Sequence, residues 1–280
     1  MSEIARRRGF EPVMLKALGA AFIVFIVAYI LIPVLVTLVM SFNDASMIRF
    51  PISAWSLKWY QDFFASPQWN DALKSSVIIA VGTAVISTTS GILAAWAFER
   101  FPIPFKNALY ILIMLPLFMP GVVLGLGIAM TFGGVQIAGF NVYGSRALVM
   151  VAHSLWAMPL VFMLMEATFR TVDYRVVEAS YDLGASPLRT FFEIVVPMVS
   201  TGVISSALFA FVISLNEFVM ALFLTDRDTQ TMPVLMWLSL RSAGTPRLAV
   251  ASVILALTVF ACLAFIMVWY VRQLRKVSRG

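Results

Sequence analysis

The chain has little with which to perform covalent or redox chemistry. Among 280 residues there is one histidine, His153, and one cysteine, Cys262. A single cysteine inside a long apolar run excludes a disulfide within the chain and a thiolate metal cluster, and Cys262 reads as a small buried core residue. An enzyme within the membrane would need convergent groups such as paired carboxylates, histidine near serine, or metal ligands, and these are missing. There is no glycine-rich loop ending in Gly-Lys-Ser/Thr to cradle phosphates. Charge is also scarce. Only 12% of residues are Asp, Glu, Lys or Arg, whereas 61% are hydrophobic, and the mean hydropathy is +0.93. Those values lie far outside the range of soluble globular proteins and place the chain in a lipid bilayer. Short alternating segments of about 10 residues, the mark of a membrane barrel, are absent.

What is present is a series of long uncharged runs. A hydrocarbon core about 30 Å thick takes about 20 apolar residues per helical crossing, and six runs are long enough. They cover roughly Met14 to Ser41, Leu73 to Phe98, Asn107 to Phe132, Ala147 to Phe169, Ile194 to Leu224 and Leu248 to Val271. The first follows Arg6-Arg7-Arg8 but is too long for the apolar core of a secretory signal, so it reads as an uncleaved span. The expectation is an all-α polytopic membrane protein with six transmembrane helices in a single domain over residues 1–280, after a tail of about residues 1–13.

Six spans put both termini on one side of the membrane. Thirteen of the 20 basic residues, among them Arg6, Arg7, Arg8, Arg100, Lys106, Arg170, Arg175 and Arg189, fall on the side of the termini. The excess of Lys and Arg makes that side cytoplasmic. The net charge of +6 follows from this bias, and no clustered basic and aromatic surface argues for nucleic acid. The longest outer loop runs from Phe42 to Ala72. Within it Trp55, Trp59, Tyr60, Phe63 and Phe64 have the spacing of a short amphipathic helix anchored at the membrane surface. In the third run Pro116 and Pro120 break the helix, which membranes tolerate only inside protein or beside a water-filled cavity.

One cytoplasmic stretch, VVEASYDLGASPLRTFFEIVVP over residues 176–197, is charged and punctuated. Glu178, Tyr181 and Asp182 share a helical face. Gly184 suits a left-handed stop, and Ser186 with Pro187 restarts a helix as cap and first residue. The result is a helical knuckle within a segment of about residues 170–193, with Pro197 interrupting the return to the membrane. The spacing of Glu178, Ala179, Gly184, Ile194 and Pro197 resembles the cytoplasmic signature of ABC importer permeases of the type I fold, with Ser180 in place of a second Ala and Val196 in place of Leu. SFND, LKWY and SLNEFVMALFLT extend the resemblance to the polyamine (spermidine/putrescine) subfamily over nearly the whole chain.

That resemblance implies a permease subunit in the bacterial inner membrane. Its knuckle, with Glu178, Ala179, Tyr181, Asp182 and Gly184, would be the coupling helix that docks on an ATP-hydrolysing partner. It further implies a second homologous permease, two copies of the ATP-binding subunit carrying ATP and Mg, and an external substrate-binding protein.

For the solute path the candidates are Ser214, Asn216, Glu217 and Trp59. Glu217 is the one acid well inside a run, where a charge costs about 2.5 to 3.5 kcal/mol on insertion scales. It either faces a cation path or is a structural carboxyl, protonated or hydrogen-bonded to the paired subunit. Trp59 matches a subfamily aromatic that would stack on an ammonium group, and His153 reads as a packed residue. The subfamily carries two adjacent Asp where this chain has Asn216-Glu217, and often an Asp where it has Gly121. A polyamine would meet fewer counter-charges here, so a monocationic or zwitterionic amine stays open as the solute. A gradient-driven secondary transporter is a more remote alternative, since broken helices serve such carriers too; the knuckle argues against it.

Overall fold

The computed structural model describes residues 3–242 and 244–277, with side chains from residue 15 to 268 and Tyr270. The side chains of the terminal basic clusters used in the orientation argument, Arg6–Arg8 and Arg272 onward, lie outside the described residues. In chain order the elements are α1 (Glu3–Met40), α2 (Lys58–Ala65), α3 (Pro67–Arg100), α4 (Lys106–Phe118), α5 (Gly121–Phe132), a hairpin of β1 (Gln136–Ile137) and β2 (Phe140–Asn141), and α6 (Arg146–Phe169). There follow α7 (Tyr174–Asp182), α8 (Pro187–Thr190), a π-helical turn over Phe191–Val195, α9 (Val196–Met198), α10 (Ser200–Asn216), α11 (Val219–Leu224), α12 (Met232–Ser242) and α13 (Arg247–Val277). Four helices are long and apolar enough to cross a membrane unaided, within α1, α3, α6 and α13. Among the described residues two bent pairs, α4 with α5 at 97° and Pro187–Met198 with α10 at 76°, raise the number to six where each pair forms one span.

Local signals explain most boundaries. Ser66 precedes α3 in an extended conformation and Pro67 occupies its first turn, where a missing N–H costs nothing. The outer loop is therefore shorter than hydropathy suggests. It ends before Pro67 and not at Ala72, because Gln68, Asn70 and Asp71 are compatible with a helix although they add nothing to an apolar count. Within that loop the helix is α2, and Trp55 stands outside it, bridged to Asn43. Ser145 caps α6 by accepting the N–H of Leu148 at 3.2 Å. The third span breaks at Met119-Pro120, as expected for Pro120, whereas Pro116 is carried inside α4 without ending it. The fifth, expected as one run, is interrupted at Val199 and again at Glu217-Phe218. No proline or glycine marks that second interruption.

The chain packs as two compact units, Met1–Ala65 with Ser242–Leu255, and Ser66–Arg241 with Ala256–Gly280. In the first, Phe63 and Trp59 are buried. Ser41 Oγ shares a hydrogen with Tyr60 Oη at 2.8 Å, and Asp62 pairs with Arg247. In the second, α3, α6 and α10 enclose Ala95, Val161, Phe162, Met165 and Phe169, all fully buried. Close approach relies on small residues. A Cβ on Gly202 of α10 would collide with Thr168 of α6, and one on Gly125 of α5 would lie 3.1 Å from the Cα of Met220 in α11.

Candidate functional site

The knuckle is built by two capping motifs. Asp173 stands before α7 and accepts the N–H of Arg175 at 3.1 Å. The Arg175 side chain donates to both oxygens of the same carboxylate, at 3.0 and 2.8 Å. Those side-chain bonds, then the backbone one, hold the Asp173 carboxyl below its ordinary pKa. At the other end Ala185 N–H donates to Ser180 O at 3.0 Å and Gly184 N–H to Tyr181 O at 2.9 Å. This double closure is a Schellman turn, and it needs a left-handed residue. Gly184 supplies it at φ +83°. Nothing lies within 4 Å of the position a Cβ would take there, so it is backbone conformation, not space, that requires glycine. Ser186 then caps α8 by accepting the N–H of Arg189.

The knuckle is rigid underneath and mixed on top. Val177 and Ser180 face inward, and Val177 joins the buried cluster around Phe169 and Val195. Ser180 Oγ lies 2.9 Å from Thr190 Oγ1, tying α7 to α8. Glu178, Ala179, Asp182 and Gly184 are exposed, and Tyr181 is half-buried against the core. Beside the acids stand two apolar side chains, Leu183 at 89% exposure and Leu188 at 73%. Neither leucine nor Thr190 was singled out from sequence. Their importance depends on which way a turn faces, which spacing alone does not report.

The proposed solute-path residues separate. Glu217 and Ser214 come together, but in a sealed network. Glu217 is 5% exposed, and its two carboxylate oxygens accept the N–H groups of Met220 at 2.9 Å and Ala221 at 3.0 Å. Those are first-turn donors of α11, which otherwise lack partners. Glu217 is thus the cap that permits the second break in the fifth span. His153 Nε2 lies 3.1 Å from Glu217 Oε2, off the line of a hydrogen bond, while its Nδ1 lies 2.8 Å from Ser214 Oγ. Ser214 donates to Thr83 Oγ1 at 3.1 Å, and Thr83 donates to the carbonyl of Met150 at 3.3 Å. Followed back along this chain, His153 Nδ1 is the donor to Ser214 Oγ.

Of the two alternatives for Glu217, the geometry is that of the structural carboxyl held by hydrogen bonds within its own chain. His153 is packed, as expected, and is also Glu217's partner, a pairing across 64 positions of sequence that no local pattern signals. Asn216 points away, its side-chain amide donating to Val212 O at 2.9 Å. Trp59 belongs to the other unit and is not an open aromatic platform. It is 8% exposed, its indole N–H donates to Ala45 O at 3.0 Å, and Lys58 and Arg247 already approach its ring. Trp59 therefore fixes the loop, because burial leaves its ring no free face for a solute.

The family model described as binding-protein-dependent transport system inner membrane component matches residues 87–279. The putrescine transport system permease protein PotI of Escherichia coli (strain K12) is 29% identical over 260 residues, 89% of this chain and 91% of that one. The spermidine/putrescine transport system permease protein PotC of the same strain is 24% identical over 257 residues, 89% and 92% of the two chains. A solved bacterial ABC transporter involved in the import of the acidic polysaccharide alginate contains a chain that superposes with a TM-score of 0.72 at 14% identity, covering 92% of this chain and 96% of that one. At that identity the likeness speaks for the fold.

Proposed function

Since the chain belongs to the family of binding-protein-dependent transport system inner membrane components, a family of membrane-spanning permease subunits and not of enzymes, we propose that it forms half of the translocation path of an ATP-driven importer of small amines. The observation that carries this reading is the knuckle from Tyr174 to Thr190. It is double-capped, pinned to the buried core through Val177, and presents acids beside exposed leucines. A merely solvated loop needs no such construction, and a gradient-driven carrier has no partner for it. The partners are a second homologous permease, two ATP-binding subunits that hold ATP and Mg, and an external binding protein. The amine class rests on the names of the two relatives. The chain's place in the cell is the inner membrane, with both termini and the knuckle in the cytoplasm.

Reconstitution in vesicles with the ATP-binding subunits and the binding protein tests the function. Putrescine and spermidine are expected to accumulate only when ATP is hydrolysed. Accumulation that follows an ion gradient and ignores the ATP-binding subunits would make the chain a secondary transporter. Orientation is checked separately. In a Cys262→Ala background, Arg175→Cys is expected to resist an impermeant thiol reagent applied outside intact cells and to react after permeabilisation. Labelling from outside would invert the topology.

A further inference from the structure

Besides Pro33 in α1, Pro116 in α4 and Pro159 in α6 lie inside membrane helices. A proline has no N–H, so each leaves the carbonyl four residues earlier without its helical donor. Those carbonyls belong to Leu112 and Leu155. Both leucines and both prolines line one cavity of about 320 Å³, together with Ser90 of α3 and Ser154 of α6. The two hydroxyl hydrogens are already committed. Ser90 donates to Ile86 O at 2.7 Å and Ser154 to Val151 O at 2.6 Å. Each serine therefore offers the cavity oxygen lone pairs and no donor.

The serine oxygens and the two carbonyls without a helical donor are acceptors, no charged side chain lines the space, and Ile113 and Met158 add apolar wall. Ser90, Pro116 and Pro159 each stand about ten residues from Arg100, Lys106 and Phe169, the ends of their helices on the knuckle's side. At 1.5 Å per residue that is about 15 Å, half of a hydrocarbon core about 30 Å thick. Unwound carbonyls near mid-membrane are a recurrent way of holding cations without carboxylates.

We propose that this cavity is the mid-membrane station for an alkylammonium group of the solute. It rests on the reading of the chain as half of an amine importer, and it supplies what that reading lacked, since Glu217 is committed to a helix cap and Trp59 to a loop. An ammonium brings up to three N–H donors to carbonyl and hydroxyl oxygens that lack them, while its methylenes lie against leucine, isoleucine and methionine. An alcohol of the same length brings one donor per hydroxyl, and a lipid chain brings none.

The assembled complex in vesicles tests this with two double variants. Pro116→Ala with Pro159→Ala returns an N–H to each carbonyl and favours the helices, so folding is retained. Ser90→Ala with Ser154→Ala removes hydroxyl oxygens and leaves helix geometry unchanged. With butane-1,4-diamine as solute, each pair is expected to raise the KM for uptake about tenfold or more, as the loss of hydrogen bonds to a charged group does, while ATP hydrolysis stimulated by the binding protein persists. A photoreactive alkylammonium is expected to label residues 112–116 and 154–159, displaced by butane-1,4-diamine and spared by butane-1,4-diol. Displacement by diol and diamine alike, label indifferent to both as in a lipid-filled groove, or an unchanged KM in both pairs would overturn the site. If wild-type vesicles import no diamine while diamine still displaces the label, the importer's substrate is wrong and the site stands. Import with no displaceable label removes the site and leaves the function.

Discussion

Replacing Gly184 with valine is expected to abolish uptake while the permease still inserts in the membrane. The turn that ends α7 closes through two backbone hydrogen bonds, from Ala185 to Ser180 and from Gly184 to Tyr181, and both require residue 184 at φ +83°. A left-handed conformation costs an ordinary L-residue about 1–2 kcal/mol, and for a β-branched side chain it is an outlier. The turn would reopen, and the exposed face carrying Glu178, Asp182 and Leu183 would lose its relation to α8. The membrane spans are made elsewhere, so yield is expected to change little. Substitution grades the effect: asparagine, which tolerates this conformation, retains most uptake, alanine part of it, and valine none. Pull-down of the ATP-binding subunit and uptake per purified complex measure both ends of the coupling. A valine variant that binds that subunit and transports at the wild-type rate would end the docking assignment.

At Glu217 the expected result depends on which atoms are kept. Glu217→Ala strips two N–H groups of α11 and the His153 ring of their partner in a site with almost no exposure. Each unsatisfied buried group costs about 1–3 kcal/mol. A steep loss of folded permease in detergent is expected, with a lower Tm in what remains. Glu217→Gln keeps one acceptor for the helix cap and turns an amide N–H toward His153 Nε2, which is free to accept once Nδ1 donates to Ser214. It forfeits one capping bond, so the loss is expected near 1 kcal/mol, and uptake per folded complex stays close to wild type. The opposite pattern, normal yield with uptake lost in the glutamine variant, would mean that the carboxylate meets the solute after all. His153→Ala is expected to follow Glu217→Ala in yield, because it leaves the same carboxylate short of a partner.

Both experiments draw on different depths of legibility. The knuckle was readable from residues 176–197 because its determinants are local. A left-handed glycine, a serine cap and a proline in the first turn each act on the backbone within a few residues of themselves. The apolar helices and the uneven placement of Lys and Arg between their ends were readable for a similar reason, since lipid thickness and Lys/Arg placement act on segments one at a time. Where hydropathy was the sole guide it misplaced the start of α3 by the length of a polar first turn, and it ran through the break at Glu217-Phe218 because that break is made by a carboxylate and not by a helix-breaking residue.

Sequence by itself determined that this chain is helical, membrane-embedded, and furnished with a firmly shaped helical knuckle. Only the tertiary structure decided what its polar residues inside the membrane do. Glu217 became a cap when its carboxylate turned back onto Met220 and Ala221 beside His153 of α6, and Trp59 became a loop anchor when Ala45 O came within 3.0 Å of its indole nitrogen. Pro116 and Pro159 became two sides of one cavity when α4 and α6 met around it. The physical reason is common to all three. A polar group in a low-dielectric interior takes its role from whichever partner the packing places within hydrogen-bond reach, and a partner such as His153 for Glu217 lies beyond the range over which local chemistry constrains the chain.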